Sequence, residues 1–245
     1  MDKEAKVSKL KKLEEKVNLI FKKTDCVAVF DKAIKMDSKT IITQITDSGL
    51  RGRGGAGFPT GLKWKGCAEI SSDIKYVICN ADEGEPGTFK DRRILDEVPE
   101  KVITGMAICA HTISATEGCI YLRGEYNFLR KKLDEECEKW NKIFNDKGLK
   151  FKLSVFSGSG AYVCGEETAL IESMQGNRGE PRNKPPFPVA AGYMNKPTVV
   201  NNVETLAYTT MIISDGVECF KSIGTKDSLG GKVFSVSGDA NVKGV

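Results

Sequence analysis

The feature that most limits the fold of this chain is an alternation, between residues 75 and 215, of short strand-like segments with longer helix-patterned ones. Lys75 to Asn80, Gly118 to Arg123 and Lys152 to Phe156 are brief and rich in β-branched and aromatic residues. Val98 to Thr116, Tyr126 to Asn145, Glu166 to Met174 and Val203 to Asp215 carry helical spacing. Strands separated by helices pair in parallel, because each crossover helix returns the chain to the same end of the sheet. The pattern predicts an α/β fold, a mostly parallel sheet flanked by helices. Upstream, Val27 to Met36 and Ser38 to Ser48 read as two further helices, the second capped by Asp37 and closed by Gly49. Residues 3–23 place Val7, Leu10, Leu13, Val17, Ile20 and Phe21 at helical spacing among lysines and glutamates. That segment reads as an amphipathic helix laid on the body, or as an arm that docks a partner.

Composition removes several classes of function. The longest apolar runs, such as Tyr76 to Cys79 and Met106 to Ala110, fall far short of the roughly 20 residues of a membrane helix. The charged N-terminus lacks the apolar core of a secretion signal, so neither a membrane span nor export is expected. Of 37 basic and 33 acidic residues, eight and four fall in residues 1–24, which leaves 29 of each and a neutral body. Nucleic-acid binding therefore finds no basic surface to rest on. The eight cysteines never approach within ten residues of one another in sequence, and His111 is the single histidine. With no CxxC turn, neither a zinc site nor an iron–sulfur cluster is expected, and the cysteines read as reduced core residues of a cytoplasmic protein.

Four stretches carry ligand chemistry. Gly52 to Gly61 holds five glycines in ten residues, including a formal G-x-G-x-x-G at Gly52, Gly54 and Gly57. The dinucleotide fingerprint needs a strand before these glycines and a helix directly after them. Here a helix precedes them, and Pro59 and Gly61 are expected to interrupt any helix directly after them. The run reads instead as a cradle in which bare backbone approaches a planar or phosphorylated ligand beside Arg53 and Lys63, or else as a tight connecting loop. Asn80 to Gly87 sets Asp82, Glu83 and Glu85 just past a strand end, where ligands of open α/β sheets bind. Such carboxylates suit ribityl or ribose hydroxyls, or form a solvated acidic turn. Gly158 to Thr168 also follows a strand and leads into a helix, with Tyr162 left accessible by its glycines. Glu166 and Glu167 there suit the start of a helix. Asn201 and Asn202 can donate to and accept from a heteroaromatic rim, or cap a helix. Phe187, between two prolines, has little entropy to lose on stacking.

Taken together these segments resemble the flavin-bearing, NADH-binding subunit of respiratory complex I (the NuoF family) and the matching subunits of NAD-linked hydrogenases and formate dehydrogenases. The stretches are GLRGRGGAGFPTGLKW from Gly49, VICNADEGEPGTFKDR from Val77 and YLRGEY from Tyr121, then GSGAYVCGEETALIE from Gly158, RGEPRNKPPFPVAA from Arg178 and KPTVVNNVET from Lys196. The resemblance implies a Rossmann-like domain that binds FMN and stacks NADH above it, passing hydride between them and single electrons onward. By matching positions it assigns FMN to Gly52, Arg53, Gly54, Lys63, Asn80, Asp82, Glu83, Gly165, Glu166, Asn201, Asn202 and Thr205. It assigns the dinucleotide to Phe58, Glu85, Tyr162, Glu167 and Phe187, with Lys63 touching both. Glu167 beside the adenosine ribose would repel a 2′-phosphate, which implies NAD rather than NADP. No side chain is required as acid or base, because the cofactor carries the chemistry.

The same resemblance divides the chain into an N-terminal helical segment (residues 1–48), an FMN- and NADH-binding α/β domain (49–228) and the start of a ubiquitin-like domain (229–245), with KVFSVSG as its first strand. It implies as partners a thioredoxin-like [2Fe–2S] subunit and other iron–sulfur subunits of a soluble or peripheral cytoplasmic complex. Two departures stand out. Gly66 replaces an aromatic common in the family, and the cysteines of the family's [4Fe–4S] domain are absent from this sequence. A non-catalytic, shortened scaffold subunit is the competing expectation. A relative of the ion-pumping Rnf complex subunit shares the glycine cradle but accounts less well for GEETALIE and the asparagine pair.

Overall fold

The computed structural model describes residues 19–245. The helix expected over residues 3–23 lies largely outside the described residues; its last positions, Leu19 to Lys23, are not helical, and Leu19 and Ile20 are buried against the body. Helices α1 (Cys26–Ala33) and α2 (Ser38–Asp47) follow, each opened by an aspartate whose carboxylate accepts a backbone N–H two or three positions into the helix, from Ala28 and Thr40 respectively. Next come α3 (Thr60–Ala68), β1 (Tyr76–Ala81), α4 (Lys90–Glu97), α5 (Pro99–Ile113) and β2 (Glu117–Leu122). A 3-10 turn over Gly124–Leu129 leads into α6 (Arg130–Asp146), then β3 (Lys152–Ser157), α7 (Glu167–Met174), the single turn α8 (Pro188–Ala191) and β4 (Thr198–Asn202). Helices α9 (Val203–Asp215) and α10 (Val217–Lys221) and a two-residue hairpin, β5 (Gly224–Thr225) with β6 (Ser228–Leu229), complete the order.

The expected parallel sheet is present, in the order β3-β2-β1-β4 with every neighbour parallel. Alternate residues sort to its two faces. Val77, Cys79, Ala81, Ile120, Leu122 and Val199 join the large core with α1, α2, α3, α5, α6 and α9. Ile78, Tyr121 and Val200 face a smaller cluster with Cys164, Leu170 and Ile171 of α7 and the loop before it. Burial on both faces is what keeps these strands nearly free of charge. The chain leaves β1 toward β2 and β3 on one side, whereas β4 lies on the other. The crevice between β1 and β4 is therefore the switch point of the sheet.

Two expectations need correction. The glycine run is followed at once by α3, because Pro59 occupies the N-cap, where a missing N–H costs no helical hydrogen bond. As expected, a helix, α2, rather than a strand precedes the glycines, and the loop closes on itself through Gly52 N–H to Phe58 O and Thr60 N–H to Leu50 O. KVFSVSG is not a strand. The β-pairing of Lys232 to Gly238 is limited to an isolated bridge, Val236 with Gly244, and among the described residues no strand lies alongside to offer a ladder. All eight cysteines are free, seven of them buried. No helix among the described residues is long and apolar enough to cross a membrane.

Candidate functional site

The carboxyl ends of β1 and β4 open into a cleft with two bays. One, of about 650 Å³, is walled by the glycine loop, α3, Glu166, Glu167 and the proline-rich loop through Lys184 and Phe187. The other, of about 460 Å³, lies over the acidic loop from Asp82 to Thr88 and beside Tyr162. Gly54, Asn80, Gly165, Glu166 and Asn202 line both, so the bays are continuous. A larger hollow of about 760 Å³ lies behind the glycine loop, but no residue of β1 to β4 reaches it.

Most residues singled out in the sequence meet at this cleft, and the structure shows how each is held. Asn201 is buried, and its Oδ1 accepts from Trp64 Nε1 at 2.8 Å, which ties β4 to α3 and fixes the orientation of the amide. Asn80 Nδ2 donates to Gly165 O at 2.8 Å, holding the third loop against β1. Lys63 Nζ donates to Val200 O at 3.0 Å and pairs with Glu167 at 2.9 Å. Lys184 bridges Glu166 at 2.7 Å and Glu167 at 3.6 Å. Glu166 also caps α7, its Oε2 accepting from the amides of Thr168 and Ala169. Burial works to raise the Glu166 pKa, but Lys184, the Thr168 hydroxyl and those amides hold it below the usual glutamate value. At the mouth, Phe58, Tyr162 and Phe187 are each more than half exposed, and Tyr162 Oη donates to Glu85 at 2.8 Å. Gly66 sits further along α3 with open space beside its α-carbon.

Three expected contacts are turned elsewhere. The sequence expectation gives the guanidinium of Arg53 to the ligand; instead it donates to Arg51 O, Leu229 O and Gly231 O, over the Tyr208 ring and beside Glu204. Only the backbone of Arg53 stays with the glycine loop, and its N–H is held at 2.9 Å by Thr205 Oγ1, so Thr205 supports the loop from behind. Glu83 is consumed by structure: its carboxylate accepts from the amides of Asp91 and Arg92 at the start of α4, from Thr88 Oγ1 and from Tyr126 Oη. Sequence reasoning missed the group that braces the cleft floor, Lys90, Asp91 and Glu204. Lys90 Nζ lies 2.7 Å from Asp91 and 2.9 Å from Glu204, and Asn202 Nδ2 donates to Asp91 at 2.7 Å. A basic residue at a helix start, against the helix dipole, was the available signal.

The residues present fit a flat, hydroxyl-bearing ligand such as FMN. Asp82 is 9% exposed, and its Oδ2 has no hydrogen-bond partner among the described residues. Burial pushes its carboxyl up to about 6, with Arg123 opposing the shift. A carboxylate so placed is an acceptor awaiting donors. A Cβ on Gly54 would come within 3.2 Å of Asn202 Cβ, so the loop floor must stay free of side chains there.

Comparison with known proteins agrees with this geometry. The Nuo51 FMN-binding domain matches residues 45–210. The NAD-reducing hydrogenase HoxS subunit alpha of Cupriavidus necator is 48% identical over 230 residues, covering 91% of this chain and 38% of that protein. The F subunit of the NADH-quinone oxidoreductase of Aquifex aeolicus is 50% identical over 221 residues, covering 88% and 52%. The NADP-reducing hydrogenase subunit HndC of Solidesulfovibrio fructosivorans is 48% identical over 214 residues, covering 84% and 43%. The crystal structure of an NAD+-reducing [NiFe]-hydrogenase in its H2-reduced state superposes with a TM-score of 0.85 at 47% identity, over 90% of this chain and 38% of that one. The chain thus spans about half or less of the length of these relatives. With the switch-point cleft, the glycine loop and the paired asparagines in place, this chain belongs to the Nuo51 FMN-binding domain family.

Proposed function

We propose that this chain is the flavin module of a multi-subunit oxidoreductase, which binds FMN and NAD(H), passes hydride between them and hands electrons to iron–sulfur partners. The observation that carries this reading is the cleft itself: bare glycine backbone and a partnerless buried carboxylate at the strand ends, with three exposed aromatic rings at the mouth. Bound FMN supplies the two-electron to one-electron conversion. The protein's own residues bind and orient. Gly52, Gly54 and Gly165 let a ring system lie against backbone, and Asp82 and Asn80 offer acceptors to hydroxyls. Asn201 and Asn202 hold fixed amides at the rim, each locked by its own partner. Phe58 and Phe187 present faces for a stacked nicotinamide dinucleotide, with Tyr162 and Glu85 beside them.

The preference for NAD over NADP rests on Glu167, whose charge opposes a 2′-phosphate. Lys63 and Lys184 both pair with that carboxylate and soften the opposition. The partners in this reading are a thioredoxin-like [2Fe–2S] subunit and further iron–sulfur subunits of a soluble or peripheral cytoplasmic complex. Residues 49–228 serve as the FMN/NADH domain, preceded among the described residues by helices α1 and α2.

The test is the visible spectrum of the chain reconstituted with FMN, before and after anaerobic NADH. Flavin bands that appear on binding and bleach on NADH addition are the expected result. A folded chain that takes up no flavin would overturn the catalytic reading and leave the scaffold role.

A further inference from the structure

The segment after β6 does not stand apart from the cleft. It lies outside the matched residues 45–210, yet it contacts both loops that build the site. On one side Arg53 Nη2 donates to Leu229 O and Gly231 O at 3.3 and 3.1 Å, gripping the segment from the glycine loop. In the middle, Val233 N–H donates to Glu204 Oε1 at 2.9 Å, while Glu204 Oε2 holds Lys90 at 2.9 Å. On the other side Ser235 Oγ accepts from Phe89 N–H at 2.8 Å and sits 3.4 Å from Thr88 Oγ1.

That last contact matters because α4 cannot cap itself. Its N-cap residue is Phe89, which has no acceptor to offer. Two remote side chains do the work: Glu83, from inside the acidic loop, takes the amides of Asp91 and Arg92, and Ser235 takes that of Phe89. Thr88 joins the two, because its hydroxyl also donates to Glu83 Oε1 at 3.0 Å. The local sequence is shaped for this course. Gly230 has φ +75°, and a Cβ there would fall 1.9 Å from the Phe220 ring, so only glycine lets the backbone lie flat at this point.

We propose that residues 229–235 form a strap that positions the acidic loop against the glycine loop, with Ser235 as its positioning residue for the ligand cleft. This deepens the functional reading above and rests on it for the identity of the ligand. The strap itself touches no residue assigned to the ligand's face except through Arg53, Glu204 and the cap of α4.

The test compares Ser235→Ala and Ser235→Thr with the parent chain by amide hydrogen exchange over residues 83–92 and by FMN titration. Ser235→Ala should speed exchange at the start of α4 and weaken FMN binding about fivefold, as expected for a lost N-cap acceptor. Ser235→Thr, which keeps the hydroxyl, should restore both. Unchanged exchange in Ser235→Ala overturns the strap. Faster exchange with unaltered FMN affinity also overturns it, since Ser235 would then cap a helix without positioning the site. If the parent takes up no FMN, the functional reading fails separately. The exchange arm then decides: faster exchange in Ser235→Ala extending from α4 across Asp82 to Gly87 supports the strap, and exchange confined to α4 refutes it.

Discussion

Replacing Asp82 with asparagine should make the fold more stable and the site worse, with a pH signature that isolates the cause. Asp82 titrates near 3.8 when unfolded and is raised to about 6 in the folded chain by burial. The folded state therefore holds its proton more tightly. Above about pH 6 the carboxyl is ionised in both states and folding bears the whole desolvation cost; below about pH 3.8 it is neutral in both and the cost vanishes. The raised pKa sets an upper limit of about 3 kcal/mol on that cost. Water reaching Asp82 through the open cleft reduces it to about 2 kcal/mol.

Asp82→Asn removes the ionisation and leaves the shape. Denaturant unfolding of the flavin-free chain and the variant from pH 4 to pH 8 should give stability curves that diverge as pH rises, with the variant gaining about 2 kcal/mol on the parent. Any fixed penalty of the new amide cancels in that difference of slopes. Parallel curves would refute the assignment of a buried, partnerless carboxylate. In the same variant, loss of a charge-assisted acceptor should weaken FMN by about one order of magnitude or more. Unchanged FMN affinity would remove Asp82 from the site.

Two more substitutions probe the supports of the cleft. Trp64→Phe leaves Asn201 Oδ1 without its donor in a buried setting and should lower unfolding stability by about 2 kcal/mol, with weaker FMN uptake, read by thermal unfolding and flavin fluorescence. Glu83→Gln keeps the shape but trades a charged acceptor for two backbone amides at the start of α4 for a neutral one. It should cost about 1–2 kcal/mol in denaturant unfolding and speed exchange at Asp91 and Arg92.

The parts of the fold that could be read from sequence are those whose signals are local. Helix α9 runs from Val203 to Asp215 as expected because Asn202 caps it, accepting from Glu204 N–H, and Gly216 ends it at φ +91°. Asp37 and Gly49 bracket α2 in the same way. The failures involve long-range partners. Strand β4 hides behind Pro197 in a proline-rich stretch and becomes a strand only because β1 supplies its ladder, beginning with Tyr76 N–H to Pro197 O. Helix α4 is strongly polar, and its caps come from Glu83 and from Ser235, 146 residues beyond Phe89. KVFSVSG has strand-like alternation and, among the described residues, no strand to pair with. At the site, motif residues fall into the cleft as expected, but sequence does not tell which way a side chain leaves its backbone. Arg53 and Glu83 are the cases where that direction is decisive.

The paired charges of the cleft bear on how a ligand arrives. Lys63, Lys184, Arg53 and Lys90 line the two bays along with Asp82, Glu83, Glu85, Asp91, Glu166 and Glu167, four cations against six acids. Each lysine is already committed to a carboxylate at 2.9 Å or closer. A phosphorylated ligand entering the bays meets more acids than cations on their walls. Capture is then governed by ordinary diffusion and by the fit of flat rings to glycine backbone and aromatic faces rather than by electrostatic guidance. The expected outcome is an association rate that added salt does not slow.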